Sequence, residues 1–272
     1  MALIASVSSL HVYPIKSCRG LDLKSVRLDR LGPLYDRRFM LVDDSGRFLT
    51  QRELPKLALV DVRLGPTALQ VSAPRMPPLK VAMSQRDAQR IEVQVWGHRG
   101  PAEDAGGNAA EWFSQFLEHS CRLVRMPEDA VRAVDPKYAP EPEPAQVGFA
   151  DAFPVLLLSE ASLEDLNGRM QQKLPMNRFR PNIVVRDTEP FAEDGWKRIR
   201  VGEVELDVVK GCSRCTTTTV DQITAQRGKE PLATLATYRK RENEVFFGQN
   251  CVHRGPGSIR VGDEVEVLEM AL

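Results

Sequence analysis

The residues best equipped for chemistry lie in the stretch Gly211-Cys212-Ser213-Arg214-Cys215-Thr216-Thr217-Thr218-Thr219-Val220-Asp221, where two of the chain's five cysteines precede a run of four threonines. A Cys-x-x-Cys pair can be half of a zinc site, a dithiol redox couple, or a turn that presents one reactive thiolate. Zinc needs two more soft or imidazole ligands, and Cys251-x-His253 is the one candidate for them. A thioredoxin-like couple belongs at a strand-to-helix junction. Here the pair ends a predicted strand, Val204 to Val209, and enters a threonine run that resists helix formation. Two buried structural thiols are the remaining possibility, and they fit the polar surroundings poorly.

Basic residues at strand ends suggest a second kind of chemistry. Lys16 and Ser17 lie in the turn Tyr13-Pro14-Ile15-Lys16-Ser17-Cys18 after the first strand. Arg38 stands at the entrance to an apolar strand, and Arg180 and Asn182 stand just before another. A single strand-entry arginine is usually solvated. Several together with a Lys-Ser turn can form an anion pocket, because guanidinium forks match phosphate oxygens. Asp151, before the predicted strand Phe153 to Leu158, is either a pocket acid or a polar strand boundary. The four histidines, His11, His98, His119 and His253, are scattered without helix-face ligand spacing. The chain carries no Walker or Rossmann glycine loop and no Gly-x-Ser-x-Gly elbow.

These residues must be positioned by a mostly β framework. Strands are predicted at Leu3 to Tyr13, Leu23 to Arg27, Arg38 to Asp43, Leu57 to Leu64 and Ile91 to Val95 from alternating or β-branched patterns. Asp43-Asp44-Ser45-Gly46 signals a hairpin. A helix at about Asn108 to His119 presents Trp112, Phe113, Phe116 and Leu117 on one face. Pro140-Glu141-Pro142-Glu143-Pro144 reads as an extended loop. A helix beginning near Ser159 or Ser162 carries Leu163, Leu166 and Met170 inward and ends before Pro175. Ile199 to Leu206 and Ile259 to Glu266 resemble one another as strand, Gly turn and strand, and Pro231 opens a short helix. Val245 to Asn250 reads as a strand with its polar end at a site or a turn. The expected fold class is α+β and β-dominated, a barrel with covering helices rather than a doubly wound sheet.

Composition sets the outer bounds. The 272 residues are 42% hydrophobic and 27% charged, with Lys+Arg and Asp+Glu both at 37, so the formal net charge is zero. A neutral chain is a poor coat for nucleic acid or anionic membrane, both of which need a net basic face. The N-terminus lacks a secretory signal pattern, and the longest apolar run, near Val155 to Leu158, is too short to span a bilayer. Those features predict a cytoplasmic protein whose cysteines are thiols or ligands rather than disulfides.

Taken in order, Tyr-Pro-Ile-Lys-Ser at 13 to 17, Phe-Arg-Pro-Asn at 179 to 182, Cys-Ser-Arg-Cys followed by Thr-Thr-Val-Asp up to 221, Glu-Pro-Leu at 230 to 232 and Phe-Gly-Gln-Asn at 247 to 250 give the chain a specific likeness. It resembles the MOSC family over nearly its whole length. In particular it is similar to members with an N-terminal MOSC β-barrel region before the MOSC domain, such as the mitochondrial amidoxime-reducing component and bacterial hydroxylamine reductases. The resemblance implies an N-terminal domain at 1–122 and a MOSC domain at 123–272.

It also implies a molybdenum cofactor, a phosphate-bearing pterin whose dithiolene holds molybdenum. The family's metal thiolate falls on Cys215, a soft ligand suited to a sulfur-rich site. The cofactor's basic contacts fall on Lys16, Arg38 and Arg180, with Ser17, Asn182, Ser213 and Arg214 as further contacts. The family's pocket aspartate falls on Asp151, which the resemblance implies as a catalytic proton relay. Ala152 and Phe153 replace hydroxyl residues found in eukaryotic members.

The implied reaction reduces N-hydroxylated compounds (hydroxylamines, amidoximes, N-hydroxylated bases) to the amine and water. The chain shows neither the membrane anchor of mitochondrial members nor the appended iron–sulfur domain of some bacterial ones. Electrons are therefore expected from a separate ferredoxin-like or flavin reductase partner. A different class of function, the carriage of sulfur as a persulfide on Cys215 or Cys212 or other handling of the cofactor, fits the same residues.

Overall fold

A computed structural model of the chain describes residues 4–139 and 145–271. The proline-rich segment from Pro140 to Pro144, expected to form an extended loop, lies outside the described residues. The dominant element is a nine-stranded sheet. Its main path runs Val265–Met270, Trp196–Val201, Val204–Ser213, Glu244–His253, Val155–Ser159, Ile183–Arg186, Ser6–Val12 and Leu21–Leu23. All neighbours are antiparallel except Val155–Ser159 with Ile183–Arg186. Inward residues such as Val7, Leu10, Leu157, Ile199, Leu206 and Ile259 meet in one buried cluster. This is the expected β-dominated α+β class with a curled sheet.

The large sheet draws on both ends of the chain. Ser6–Val12 pairs with Ile183–Arg186, from Ser6 opposite Arg186 to Leu10 opposite Ile183, with a register shift between Val7 and Ser9. Ser25–Asp29 pairs with Gly257–Arg260. The sheets thus cross the expected division at 122/123.

Two smaller sheets occupy the N-terminal half. One orders Phe39–Val42, Arg122–Arg125, His98–Asp104 and Arg90–Val95, and the other orders Asp61–Leu64, Ala68–Ser72 and Leu79–Ala82. The helix Gly107–Leu117 seals this half by burying Ala109, Trp112, Phe113 and Leu117. That spacing is one face of a 3.6-residue repeat, and each large side chain so buried contributes about 1.5–3 kcal/mol.

Several expectations need correction. Leu57 to Leu64 is not one strand: Pro55 opens a 3-10 turn, Pro55–Leu59, and only Asp61–Leu64 is extended. The two similar strand-turn-strand segments also diverge. Trp196–Val201 and Val204–Ser213 form a true hairpin around Gly202. Gly257–Arg260 and Val265–Met270 instead pair with Ser25–Asp29 and Trp196–Val201. Local pattern cannot say which neighbour a strand will take.

Other local signals hold. Asp43 caps its turn by accepting from the Ser45 and Arg47 amides, each at 3.0 Å. Ser159 caps the helix Glu160–Gly168 by accepting from the Ser162 amide.

Candidate functional site

Cys215 follows the end of the long strand Val204–Ser213 and caps a single 3-10 turn, Thr216–Thr219. The threonines form this turn because their hydroxyls bond to nearby carbonyls: Thr218 Oγ1 to Cys215 O at 2.9 Å and Thr219 Oγ1 to Thr216 O at 2.8 Å. Such local bonds favour turns over continued helix. A strand entering a one-turn cap is not a thioredoxin junction. Nor does the sequence's zinc candidate assemble: Cys251 is sealed in the barrel core and His253 Nε2 meets the Asp29 carbonyl at 2.7 Å.

The five thiols divide sharply. Burial pushes Cys18 up to about 12 and drives Cys251 higher still. Cys215 is exposed. Its partial desolvation would raise it, yet hydrogen bonds from Thr217 and the Arg52 guanidinium outweigh that and hold it below the ordinary thiol value. Arg52 Nη1 stands 3.6 Å from Cys215 Sγ. Cys212 shares the cavity and accepts from Arg214 Nη1 at 2.8 Å.

One cavity collects most of the residues singled out from sequence. Lys16, Ser17, Asp151, Arg180, Asn182, Ser213, Arg214 and Cys215 all line it. Asn250, inside the strand Glu244–His253, lines it too. Lys16 is carried by the turn after Ser6–Val12, whose backbone is fixed by the Lys16 amide donating to Phe39 O at 2.8 Å. Its ammonium donates to Phe149 O at 2.8 Å and forms an ion pair with Asp151. Burial pulls Lys16 below the ordinary lysine value. Desolvation would raise Asp151, but Lys16 and then Arg52 hold it well below the usual carboxylate range.

Asp151 is therefore a carboxylate at neutral pH. Arg132 shapes its loop by donating to the carbonyls of Gly148 at 2.6 Å, Ala150 at 2.5 Å and Asp151 at 2.7 Å.

At the other end, the guanidinium carbons of Arg37 and Arg180 each sit 4.2 Å from the centre of the Tyr13 ring. Arg37 is held by Asp36 at 2.6 Å and by Asn182 Oδ1 at 3.2 Å. Asn182 also accepts from the Leu156 amide at 3.1 Å and donates to His11 O at 3.1 Å, so its side chain ties two strands to Arg37. Arg180 is pulled down to about 10, first by burial and then by Arg37. Its Nη2 and the Nε of Arg214 are buried with no hydrogen-bond partner. Orphaned buried guanidinium donors of this kind call for an anion.

Arg38 is not among the lining residues. Its side chain turns to Asp29, 2.6 Å away, beside a separate cavity with Arg125 and Met126. Arg37, one residue earlier and at φ 45, takes the place expected of it. Sequence reasoning also missed Arg52 and Arg178, which line the cavity; Arg178 is paired with Asp221 at 2.8 Å. Arg52 carries no local mark in the sequence.

Comparison with known proteins agrees with the architecture. The family model for the MOSC N-terminal beta barrel domain matches residues 4–120, and that for the MOSC domain matches residues 144–266. Mitochondrial amidoxime-reducing component 1 of Mus musculus is 37% identical over 97% of this chain and 83% of its own length. The Homo sapiens protein of the same name is 34% identical over 97% and 83%. Molybdenum cofactor sulfurase of Oryza sativa subsp. japonica is 34% identical over 89% of this chain but only 32% of its own length. Among solved structures, the YUAD protein of Bacillus subtilis aligns over 97% of this chain and 95% of its own at 12% identity, with a TM-score of 0.46.

These relatives overturn the expected cytoplasmic location, because the amidoxime-reducing components are named as mitochondrial. Among the described residues, no helix is long and apolar enough to cross a membrane. With both family models matched and the relatives aligned along nearly its whole length, the chain belongs to the MOSC family.

Proposed function

We propose that this protein is a molybdenum-cofactor reductase of N-hydroxylated compounds. The observation that supports this reading best is the meeting, in one cavity, of an exposed low-pKa thiol at Cys215 and unpartnered guanidinium donors at Arg180 and Arg214. The residues fit the cofactor's two ends, because a soft thiolate suits molybdenum and buried cationic forks suit a phosphate. When bound, the cofactor supplies the two-electron chemistry that converts R–NHOH, two electrons and two protons into R–NH2 and water.

The chain's own residues bind, orient and supply protons. Cys215 Sγ is the protein ligand to the metal. Arg180, Arg214 and Arg37 hold the anionic tail, in place of the expected Arg38. Ser17 and Ser213 are further contacts, and Asn182 acts through Arg37. A carboxylate held as firmly as Asp151 stores no proton at neutral pH. We assign proton delivery to the Lys16–Asp151 pair, with Lys16 Nζ as the donor and Asp151 as the group that orients it. Electrons come from a separate donor protein, and the name of the amidoxime-reducing relatives supports the substrate class.

The test is molybdenum per chain in protein made by a cofactor-competent host, followed by reduction of benzamidoxime or N-hydroxylaminopurine with a chemical reductant. Folded, cofactor-loaded protein that is inert toward every N-hydroxy compound rejects the activity. The second thiol, Cys212, beside Arg214 favours one other reading: a cysteine persulfide passed to a partner, in keeping with the sulfurase relative. A persulfide mass shift without molybdenum would support that reading, and stoichiometric molybdenum would oppose it.

A further inference from the structure

Most side chains of the site face inward, but one large side chain at its rim faces water. Trp96 is 50% exposed, whereas Trp112 and Trp196 are each 6% exposed. It occupies the first position of a two-residue turn between the paired residues Val95 and His98, at φ 54. That left-handed conformation suits glycine or asparagine and strains a bulky side chain. An exposed indole held at a strained position does little for the core, and such outliers gather where function requires them.

The indole is also oriented. Gln94 Nε2 donates to the Trp96 carbonyl at 2.8 Å, and the Phe48 ring packs 5.2 Å away at 55°. The Arg52 guanidinium lies 4.6 Å from the indole centre. Arg52 connects this rim to the reacting end, since its Nη1 is 3.6 Å from Cys215 Sγ. A half-exposed π face therefore stands one guanidinium away from the thiol.

We propose that Trp96 is a stacking platform that selects substrates whose N-hydroxylated group is conjugated to a planar aromatic or heteroaromatic ring. The ring of the substrate lies on the open face of the indole while Arg52 fixes the other. Aromatic stacking of this kind supports a preference of about tenfold. The inference rests on the reductase reading for its substrate class, but not for its binding test.

Benzamidoxime and acetamidoxime carry the same reacting group with and without a ring. Trp96→Asn removes the π face and suits the backbone, so it should melt no lower than the wild type. Trp96→Phe keeps a smaller π face. In the holoenzyme, Trp96→Asn should raise KM for benzamidoxime about tenfold more than KM for acetamidoxime, and Trp96→Phe should fall between it and the wild type. Equal effects on the two amidoximes, or none, overturn the proposal.

If neither amidoxime is turned over, the reductase reading fails while the platform can still be judged by fluorescence. With the other two tryptophans buried, saturable quenching by benzamidoxime that disappears in Trp96→Phe supports it. No quenching, or quenching that persists in that variant, overturns it.

Discussion

The two ends of the cavity are built in different ways. At the guanidinium end, Tyr13, Arg37, Arg180 and Asn182 are locked together, and Asn182 alone bridges Arg37, the Leu156 amide and the His11 carbonyl. At the thiol end, Cys215, Arg52, Asp151 and Trp96 come from distant segments, and their links are longer, with 3.6 Å from Arg52 to the thiol and 3.9 Å from Arg52 to Asp151. The contrast separates a rigid seat, formed before any ligand arrives, from an adjustable mouth where different reactants can be met. Preorganised donors belong where one constant group must be gripped. Adaptable contacts belong where the guest varies.

The largest effect should come from the mouth. Cys215→Ala should lower turnover by at least about a hundredfold while the melting temperature is unchanged. Full activity in that variant removes the ligand assignment.

Next is the ion pair between the two ends. Asp151→Asn leaves the Lys16 ammonium buried beside a single carbonyl. The expected loss of stability is about 1–2 kcal/mol, reduced from that of a fully buried pair because Asp151 is 55% exposed. Its carboxyl is depressed in the folded state. The stabilisation is therefore present above the ordinary value of 3.8 and fades as pH falls below it. Urea titrations across that range would show an unchanged pH profile in Asp151→Asn if the pair contributes nothing.

The seat predicts the opposite sign. Arg180 is a partly buried, incompletely paired cation, so Arg180→Met should leave the cofactor-free protein as stable as the wild type or about 1 kcal/mol more stable, while molybdenum retention falls. A clear loss of stability in the cofactor-free variant would mean that Arg180 serves the fold rather than a ligand.

The smallest effect is kinetic and concerns the thiol itself. Iodoacetamide should label Cys215 in the native protein with a midpoint below the ordinary 9.0, and Arg52→Ala should move that midpoint upward. Cys18, Cys121 and Cys251 are buried and should react only on unfolding.

Much of the cavity was legible because its residues lack local reasons to be where they are. Lys16 in a Pro-Ile-Lys-Ser turn and Arg180 before an apolar strand have no nearby acid in sequence, so their charges had to be used elsewhere. The choice between Arg37 and Arg38 was not legible. Successive residues of an extended chain face opposite ways, and the left-handed φ of 45 at Arg37 resets which one faces the cavity.

The mouth was even less legible, since Arg52 and Trp96 reach Cys215 only through tertiary packing. A Trp-Gly turn between two strands was the one available hint. The fold class followed from alternation and turn signals. Strand partners did not, as Gly257–Arg260 and Val265–Met270 show by leaving each other for other neighbours.

The pairing of Ser6–Val12 with Ile183–Arg186 has a consequence for how this molecule is made and dissected. Ser6–Val12 must wait for a mate that emerges some 170 residues later, so the lysine turn that follows it cannot take its final position until Ile183–Arg186 has been made. A fragment restricted to residues 123–272 would carry Cys215 yet leave the edge of Ile183–Arg186 bare. An uncovered apolar edge recruits other chains, so that fragment should self-associate rather than report on an isolated domain.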